Sequence, residues 1–310
     1  MRKLLLTCLI LFAIASWAGE YEVGVQAYDK KNYAVALENF KKASAQGNAE
    51  ASFAIGHIHE KGLGVTQSYS EAIKWYELAA AQGLAVAQYN LGVMHSNGIG
   101  FVQNFAEAIK WHRLAAAQGF ASAQTNIGFM YQNGQGVPQD FAEAVKWYEL
   151  AAAQGNEIAQ NNLALMYQNG RGVAQDHEQA IIWFKISAAQ GYVDAQYNLG
   201  FLFQNGQGVA PNYAEAIKWY QLAAEQGFSD AQTNLGFMYR NGQGVEKNYV
   251  EALKWYQLAA AQENAIAQNN LGFMYQNGQG VAQDYAQAAK WYQVAAAKGN
   301  ADAQFNLGFL

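Results

Sequence analysis

Seven tryptophans, Trp75, Trp111, Trp147, Trp183, Trp219, Trp255 and Trp291, stand 36 residues apart. A fixed period of that length means a stack of like units, each of which buries its apolar surface only against its neighbours. The complete units run 48–83, 84–119, 120–155, 156–191, 192–227, 228–263 and 264–299, with a partial unit from Asn300. A chain of 310 residues would otherwise suggest two domains. A repeat array has no central core to fill, so it lengthens by addition.

Unit 120–155 shows what each repeat encodes. Ala123, Ile127, Met130 and Tyr131 recur at helical spacing and predict a buried stripe on a first helix, 121–133. Asn133-Gly134-Gln135-Gly136-Val137 follows, with two glycines that permit the positive φ at which a helix stops and the chain turns. Asp140 is placed to cap a second helix, with Glu143 three residues on as in a capping box. Ala144, Trp147, Tyr148 and Ala151 form the apolar face of that helix, and Gly155 closes it. Gly128 and Ala144 let the two backbones approach, although a Gly inside a helix costs about 1 kcal/mol against Ala. Ala164 and Glu263 are single departures from the Gly rows. Only two prolines interrupt the chain. The expected class is therefore all-α, an array of 36-residue helix-turn-helix repeats.

The string Leu-Gly-x-Met-Tyr-x-Asn-Gly-x-Gly-Val…Asp-Tyr-x-x-Ala-x-x-Trp-Tyr-x-x-Ala-Ala-x-x-Gly resembles the Sel-1-like repeat family, a branch of the tetratricopeptide-like solenoids. The likeness covers nearly all of 48–310 and implies a right-handed α/α superhelix. Segment 19–47 resembles an ordinary tetratricopeptide unit, with a short turn at Asp29 to Asn32 and Ala36, Phe40 and Ala43 in the packing rows. It is read as an N-terminal cap. Phe305 to Leu310 stops inside a first helix, which implies either a fragment or a last helix that packs unusually.

Arg2 and Lys3 precede an apolar run from Leu4 to Ala15, and Ser16-Trp17-Ala18 places small residues at a cleavage site. Residues 1–18 therefore read as a signal peptide cut after Ala18, with a periplasmic or secreted product. The run is shorter than the roughly 20 apolar residues of a membrane span. Cys8, the sole cysteine, lies within it, so the mature chain would have none. The formal charge is −5, and an acidic chain without a basic cluster is a poor match to nucleic acid.

Candidates for catalysis are few. His59 and His95 stand where Tyr131 stands in its repeat, and His112 where Tyr148 stands, which reads as substitution within packing rows. His57 and His59 are spaced i, i+2 and do not face each other on a helix, which argues against a metal site. No Ser-x-x-Lys or Gly-x-Ser-x-Gly occurs, and the Asn-Gly-x-Gly pairs follow a helix where a phosphate cradle would follow a strand. Cysteine-rich secreted members of the Sel-1-like family have been described as penicillin-binding or β-lactamase-like. That cell-wall role is the alternative reading, and the mature chain lacks both cysteines and an acylation motif. No catalytic residue, metal or cofactor is expected.

Binding is the preferred reading, with protein or peptide segments as partners. At 100° per residue, Thr125, Phe129 and Gln132 point away from the stripe of Ala123, Ile127 and Met130. In related tetratricopeptide solenoids that face lines the concave groove. Its rows are Tyr89, Thr125, Asn161, Tyr197, Thr233 and Asn269, then Val93, Phe129, Leu165, Phe201, Phe237 and Phe273. Large apolar residues on an exposed face mark interaction sites, whereas a tightly wound array would bury them on the next unit. Beside them Asn90, Asn126, Asn162, Asn198, Asn234 and Asn270 recur in every unit after the first. Asn is a mediocre helix former. The family likeness implies an amide that holds a peptide backbone; a hydrogen bond between repeats would explain the row equally well. The expected partner-contacting residues are those six asparagines with Phe129, Phe201, Phe237, Phe273, Tyr89 and Tyr197.

Overall fold

The structure is a computed structural model that describes residues 19–310. The leader expected over 1–18 lies outside the described residues. These are helical throughout: α1 spans 19–29, α2 Tyr33–Ala45, α3 Ala49–Lys61, α4 Tyr69–Ala81, α5 Ala85–Asn97, α6 Phe105–Ala117, α7 Ala121–Asn133 and α8 Phe141–Ala153. The series continues with α9 Glu157–Asn169, α10 His177–Ala189, α11 Val193–Asn205, α12 Tyr213–Glu225, α13 Ser229–Asn241, α14 Tyr249–Ala261, α15 Ala265–Asn277, α16 Tyr285–Ala297 and α17 Ala301–Gly308. The chain divides into two compact units at Gln154 and Gly155. Within each unit a first helix packs on the second helix of its own repeat, and that helix packs on the next first helix. The expected all-α array of helical hairpins is the fold.

Local chemistry sets each boundary. Gly134 ends α7 in the left-handed region at φ 68°, where the N–H of Gln135 reaches the Met130 carbonyl at 2.9 Å. Gly136, at φ 72°, backs onto the Phe105 carbonyl of the preceding repeat and leaves no room for a Cβ. Asp140 caps α8 by accepting from the Glu143 N–H at 3.0 Å, as predicted. The reciprocal half of the capping box does not form, because the Asp140 N–H already donates to the Tyr131 carbonyl at 2.9 Å. The Glu143 carboxylate turns instead to Lys146, 2.8 Å away on the exposed surface.

The core refines the reading of the aromatic rows. Tyr76, Tyr148, Tyr220, Tyr256 and Tyr292 are fully buried, with His112 and Phe184 in the same row. Every tryptophan of the 36-residue row is only half-buried. Trp75, Trp111 and Trp147 each lie along the flank of a separate buried cluster of alanines and aliphatic side chains, joined by Phe40 in the first and Tyr76 in the second. The glycine row faces the tyrosines. A Cβ on Gly128 would stand 2.7 Å from the Tyr148 ring, closer than side chains tolerate. Ala164 pairs with Phe184, whose ring alone among the seven repeats has no polar tip.

A second row of amides ties the repeats together. Gln88, Gln124, Gln160, Gln196, Gln232 and Gln268 are buried. Gln88 donates to the Ala80 carbonyl of the preceding repeat at 3.2 Å and accepts from Gln118 of its own repeat at 2.8 Å. Gln196 and Gln232 repeat that pattern in the second unit. Gln88, Gln196 and Gln232 thus add a second bond to carbonyls at the ends of second helices, Ala80, Ala188 and Ala224, which also accept from the N–H groups of Gly83, Gly191 and Gly227 at 3.0 Å.

Candidate functional site

The residues expected to contact partners fall into three environments. Phe129, Phe201, Phe237 and Phe273 are 36–48 % exposed, which for a phenyl ring on a helix surface is a large open face. Val93 and Leu165, in the same row, are half-buried. In the second unit Arg240 stands over the rings of Phe237 and Phe273, at 5.7 and 5.0 Å from their centroids. A guanidinium over two aromatic faces is a favourable cation–π arrangement.

The neighbouring row does not point outward. Thr125, Asn161 and Thr233 are buried. Thr125 and Thr233 donate their hydroxyls back to the carbonyls of Ala121 and Ser229, at 3.0 and 2.9 Å. Tyr89 and Tyr197 are half-buried. Tyr89 packs between His112 and Phe120, with ring centroids at 5.7 and 5.1 Å. Tyr197 packs between Tyr220 and Phe228 at the same two spacings. Single-helix periodicity defines one buried face, but a first helix inside an array is flanked by its own second helix and by the adjoining repeats.

Apart from Asn162, the asparagine row is engaged in bonds across repeat boundaries. Asn198 and Asn306 donate to Asn161 and Asn269 at 3.1 and 3.0 Å. Asn126 Nδ2 lies 3.4 Å from His112 Nε2, and Asn270 accepts from Arg240 at 3.4 Å. Asn90 and Asn234 bond the oxygens of Tyr76 and Tyr220. Asn162 takes a bond from adjacent Asn161 at 3.4 Å. All of these asparagines stay half-buried. Since an amide has two donors and two acceptor lone pairs, one bond between repeats leaves capacity for another partner.

The tip of the buried ring row differs among repeats: Phe184 has no hydroxyl, and the Tyr256 hydroxyl, in the repeat where Arg240 replaces the glutamine, has no hydrogen-bond partner. Tyr148, Tyr220 and Tyr292 donate their hydroxyls to Gln132, Gln204 and Gln276 at 2.7–2.8 Å, and Tyr76 donates to Glu60 at 2.6 Å. In repeat 84–119 the same two positions hold His112 and Ser96, both shorter. Between them lies a cavity of about 410 Å³, lined also by Tyr89, Val93, Asn126 and Phe129. His112 is 1 % exposed and its Nδ1 has no hydrogen-bond partner. Burial lowers its pKa to about 4, so the imidazole is neutral at physiological pH. Burial likewise pushes Tyr292 up to about 12 and Tyr220 well above the usual phenol value.

The other histidines occupy packing positions. His95 stacks on Phe101 at 3.9 Å with 13° between the planes. Among the described residues no three His, Cys, Asp or Glu side chains gather as a metal site would require, and no helix is long and apolar enough to cross a membrane. Sequence reasoning missed both the glutamine row and the His112–Ser96 cavity. The recurring Ala-Gln before the asparagine was the available signal for the first.

The Sel1 repeat family matches over 13–48, 49–84, 85–120, 121–156, 158–192, 193–228, 229–264 and 265–300. The chain belongs to the Sel1 repeat family. The first match takes in the segment that resembles a tetratricopeptide unit. The crystal structure of a Sel1 repeat protein from Oxalobacter formigenes is 33 % identical, with a TM-score of 0.77 over 98 % of this chain and 90 % of that one. A protective antigen of uropathogenic Escherichia coli strains, displaying an SLR fold, is 36 % identical with a TM-score of 0.84. That match covers 88 % of this chain and 59 % of the antigen, so the chain spans little more than half of that relative. None of the curated proteins compared matches. Sel1 repeats generally mediate protein–protein interactions and are generally non-catalytic.

Proposed function

We propose that the chain is an exported, non-catalytic scaffold that binds segments of protein partners on the first-helix face of each unit. The supporting observation is the row of open phenyl rings at one register position, Phe129 in the first unit and Phe201, Phe237 and Phe273 in the second. Solvent-facing phenyl rings repeated at a fixed register are expensive to leave in water and gain when a partner covers them. Half-buried amides beside them offer donors and acceptors to a main chain that brings few sequence demands of its own. Export rests on the basic start, apolar run and Ser-x-Ala site of residues 1–18, and gives a periplasmic or secreted protein.

Peptides selected from a random displayed library against residues 19–310 provide the test. Replacing Phe201, Phe237 and Phe273 together with Gln should weaken the selected peptides at least about tenfold, the worth of roughly 1.4 kcal/mol of lost apolar contact. The helical signal should stay intact, because these rings are not core. Peptides that bind the triple variant as well as the parent would remove this face as the site. Stoichiometric covalent labelling by a fluorescent β-lactam would overturn the non-catalytic reading in favour of a cell-wall enzyme.

A further inference from the structure

The first-helix face of the second unit carries a cation with no counter-charge among the described residues. At the register of Gln132, Gln168, Gln204 and Gln276, α13 holds Arg240. Among the first helices, the odd-numbered α1 to α17, only Lys61 and Arg240 bear a permanent positive charge. Lys61 is neutralised by adjacent Glu60. No carboxylate pairs with Arg240, although the chain has a formal charge of −5.

A guanidinium has donors only, so it cannot take the proton that the tyrosines of other repeats give to glutamine. Tyr256 is left without a hydrogen-bond partner, and Arg240 reaches forward to the next repeat. Its Nη1 donates to the Asn270 side-chain oxygen at 3.4 Å, and its Cζ lies 5.7 and 5.0 Å from the ring centres of Phe237 and Phe273. Both rings are open to solvent, and Arg240 is half-buried beside them. That long bond occupies one of five N–H donors. The surrounding rings remove part of the hydration of the charge without supplying an anion, which is a cost to the free protein. An anion arriving there meets a guanidinium already positioned against two aromatic faces.

The surroundings select among anions. One guanidinium balances one negative charge, which suits a carboxylate and leaves a phosphate group of about −1.5 to −2 in excess beside an acidic chain. A planar carboxylate also matches the guanidinium fork. Phe237 precedes Arg240 in the row and Phe273 follows it, so a segment that covers both rings passes over the guanidinium. The anion it brings is then a side chain within the segment, not the end of a chain. We propose that Arg240 receives the carboxylate of an Asp or Glu within a bound peptide, flanked by apolar residues that cover Phe237 and Phe273. The inference rests on the reading of the first-helix face as peptide-binding and deepens it by giving that face a preference in charge.

Defined probes test this apart from the library selection. Ac-Leu-Glu-Leu-NH2, Ac-Leu-Gln-Leu-NH2 and Ac-Leu-Gln-Leu-OH are titrated into the nitrogen-15-labelled chain, and its N–H signals are followed by NMR. The Nε–H signal assigned to Arg240 by its loss in Arg240→Gln should move saturably with the glutamate peptide. The capped glutamine peptide should bind at least about tenfold more weakly, the worth of one charge-assisted hydrogen bond. Arg240→Gln installs the residue of the sister repeats, offers Tyr256 an acceptor and should keep the helical signal. In that variant, read at the backbone N–H groups of Phe237 and Phe273, the glutamate peptide should lose its advantage. Equal binding of the two capped peptides to the parent, with shifts at both phenylalanines, would keep the face and overturn its charge preference. No shift at either phenylalanine with any peptide would count against the face itself, and the proposal would fall with it. Tighter binding of Ac-Leu-Gln-Leu-OH than of the glutamate peptide would assign Arg240 to chain ends. A saturable shift of Arg240 by inorganic phosphate but not by the glutamate peptide would replace the carboxylate with a phosphoryl group; either result overturns the proposal.

Discussion

Repeats 84–119 and 192–227 carry the same aromatic frame and differ at its tip. Tyr89 lies 5.7 Å from the His112 ring and 5.1 Å from Phe120; Tyr197 lies 5.7 Å from the Tyr220 ring and 5.1 Å from Phe228. The two stand 108 residues apart in a chain whose rows recur in blocks of three repeats, Tyr-Thr-Asn at 89, 125 and 161 and again at 197, 233 and 269. In the later copy Tyr220 bonds Gln204 at 2.8 Å and the frame is closed. In the earlier copy the ring is His112, its opposite number is Ser96, and an open cavity of about 410 Å³ lies beside the frame. Two side chains thus convert a structural contact into a cavity while the backbone that carries them keeps its pattern.

The largest effect should come from transferring the open tip to the closed repeat. Gln204→Ser with Tyr220→His removes a buried phenol, its hydrogen bond and its packing. It should cost about 3 kcal/mol, read as a lower denaturant midpoint. A cost below about 1 kcal/mol would mean that Tyr220 is not held by Gln204 as its geometry implies.

Acid should separate the two repeats next. Burial depresses His112 from an unfolded value near 6.5 to about 4, so the folded state binds fewer protons than the unfolded one between those values. The stability it contributes is complete above pH 6.5 and falls as pH drops toward 4. Between pH 7.5 and pH 5 the parent should lose about 2 kcal/mol more than His112→Tyr. Carboxylates common to both proteins cancel in that difference. Equal acid sensitivity in equilibrium denaturation would show that the imidazole is not desolvated.

The smallest effect concerns the glycines behind the rings. A Cβ at Gly200 would stand 2.5 Å from Tyr220, and one at Gly92 2.5 Å from His112. Tyr220 is fixed by its bond to Gln204, whereas His112 has the cavity beside it into which to retreat. Gly200→Ala should therefore cost about 1 kcal/mol more than Gly92→Ala in thermal or chemical denaturation, both being offset by the better helix propensity of Ala. Equal costs would mean that the cavity gives the imidazole no freedom.

The hairpins were legible because every signal agreed: Gly134 and Gly136 at one end, Asp140 at the other, and apolar residues at helical spacing between the stops. The Phe row was legible for the same reason, since its residues lie opposite the stripe of Ala123, Ile127 and Met130. The reading failed where a helix has more than one covered flank. Thr125, Asn161 and Thr233 lie away from the stripe yet are buried, and Trp147 lies on the apolar face of the second helix yet is only half-buried. The glutamine row escaped notice because a polar residue in a helix reads as solvent-facing until its partners on another helix and another repeat are found.

Period, helix boundaries and family were therefore written in the chain, because they depend on contacts within a few residues and on units that repeat. Which aromatic row forms the core, where Gln88 and its counterparts bond, and the vacancy between Ser96 and His112 were decided by the tertiary structure. Those depend on side chains 16 to 30 residues apart meeting at one point, which no local pattern encodes.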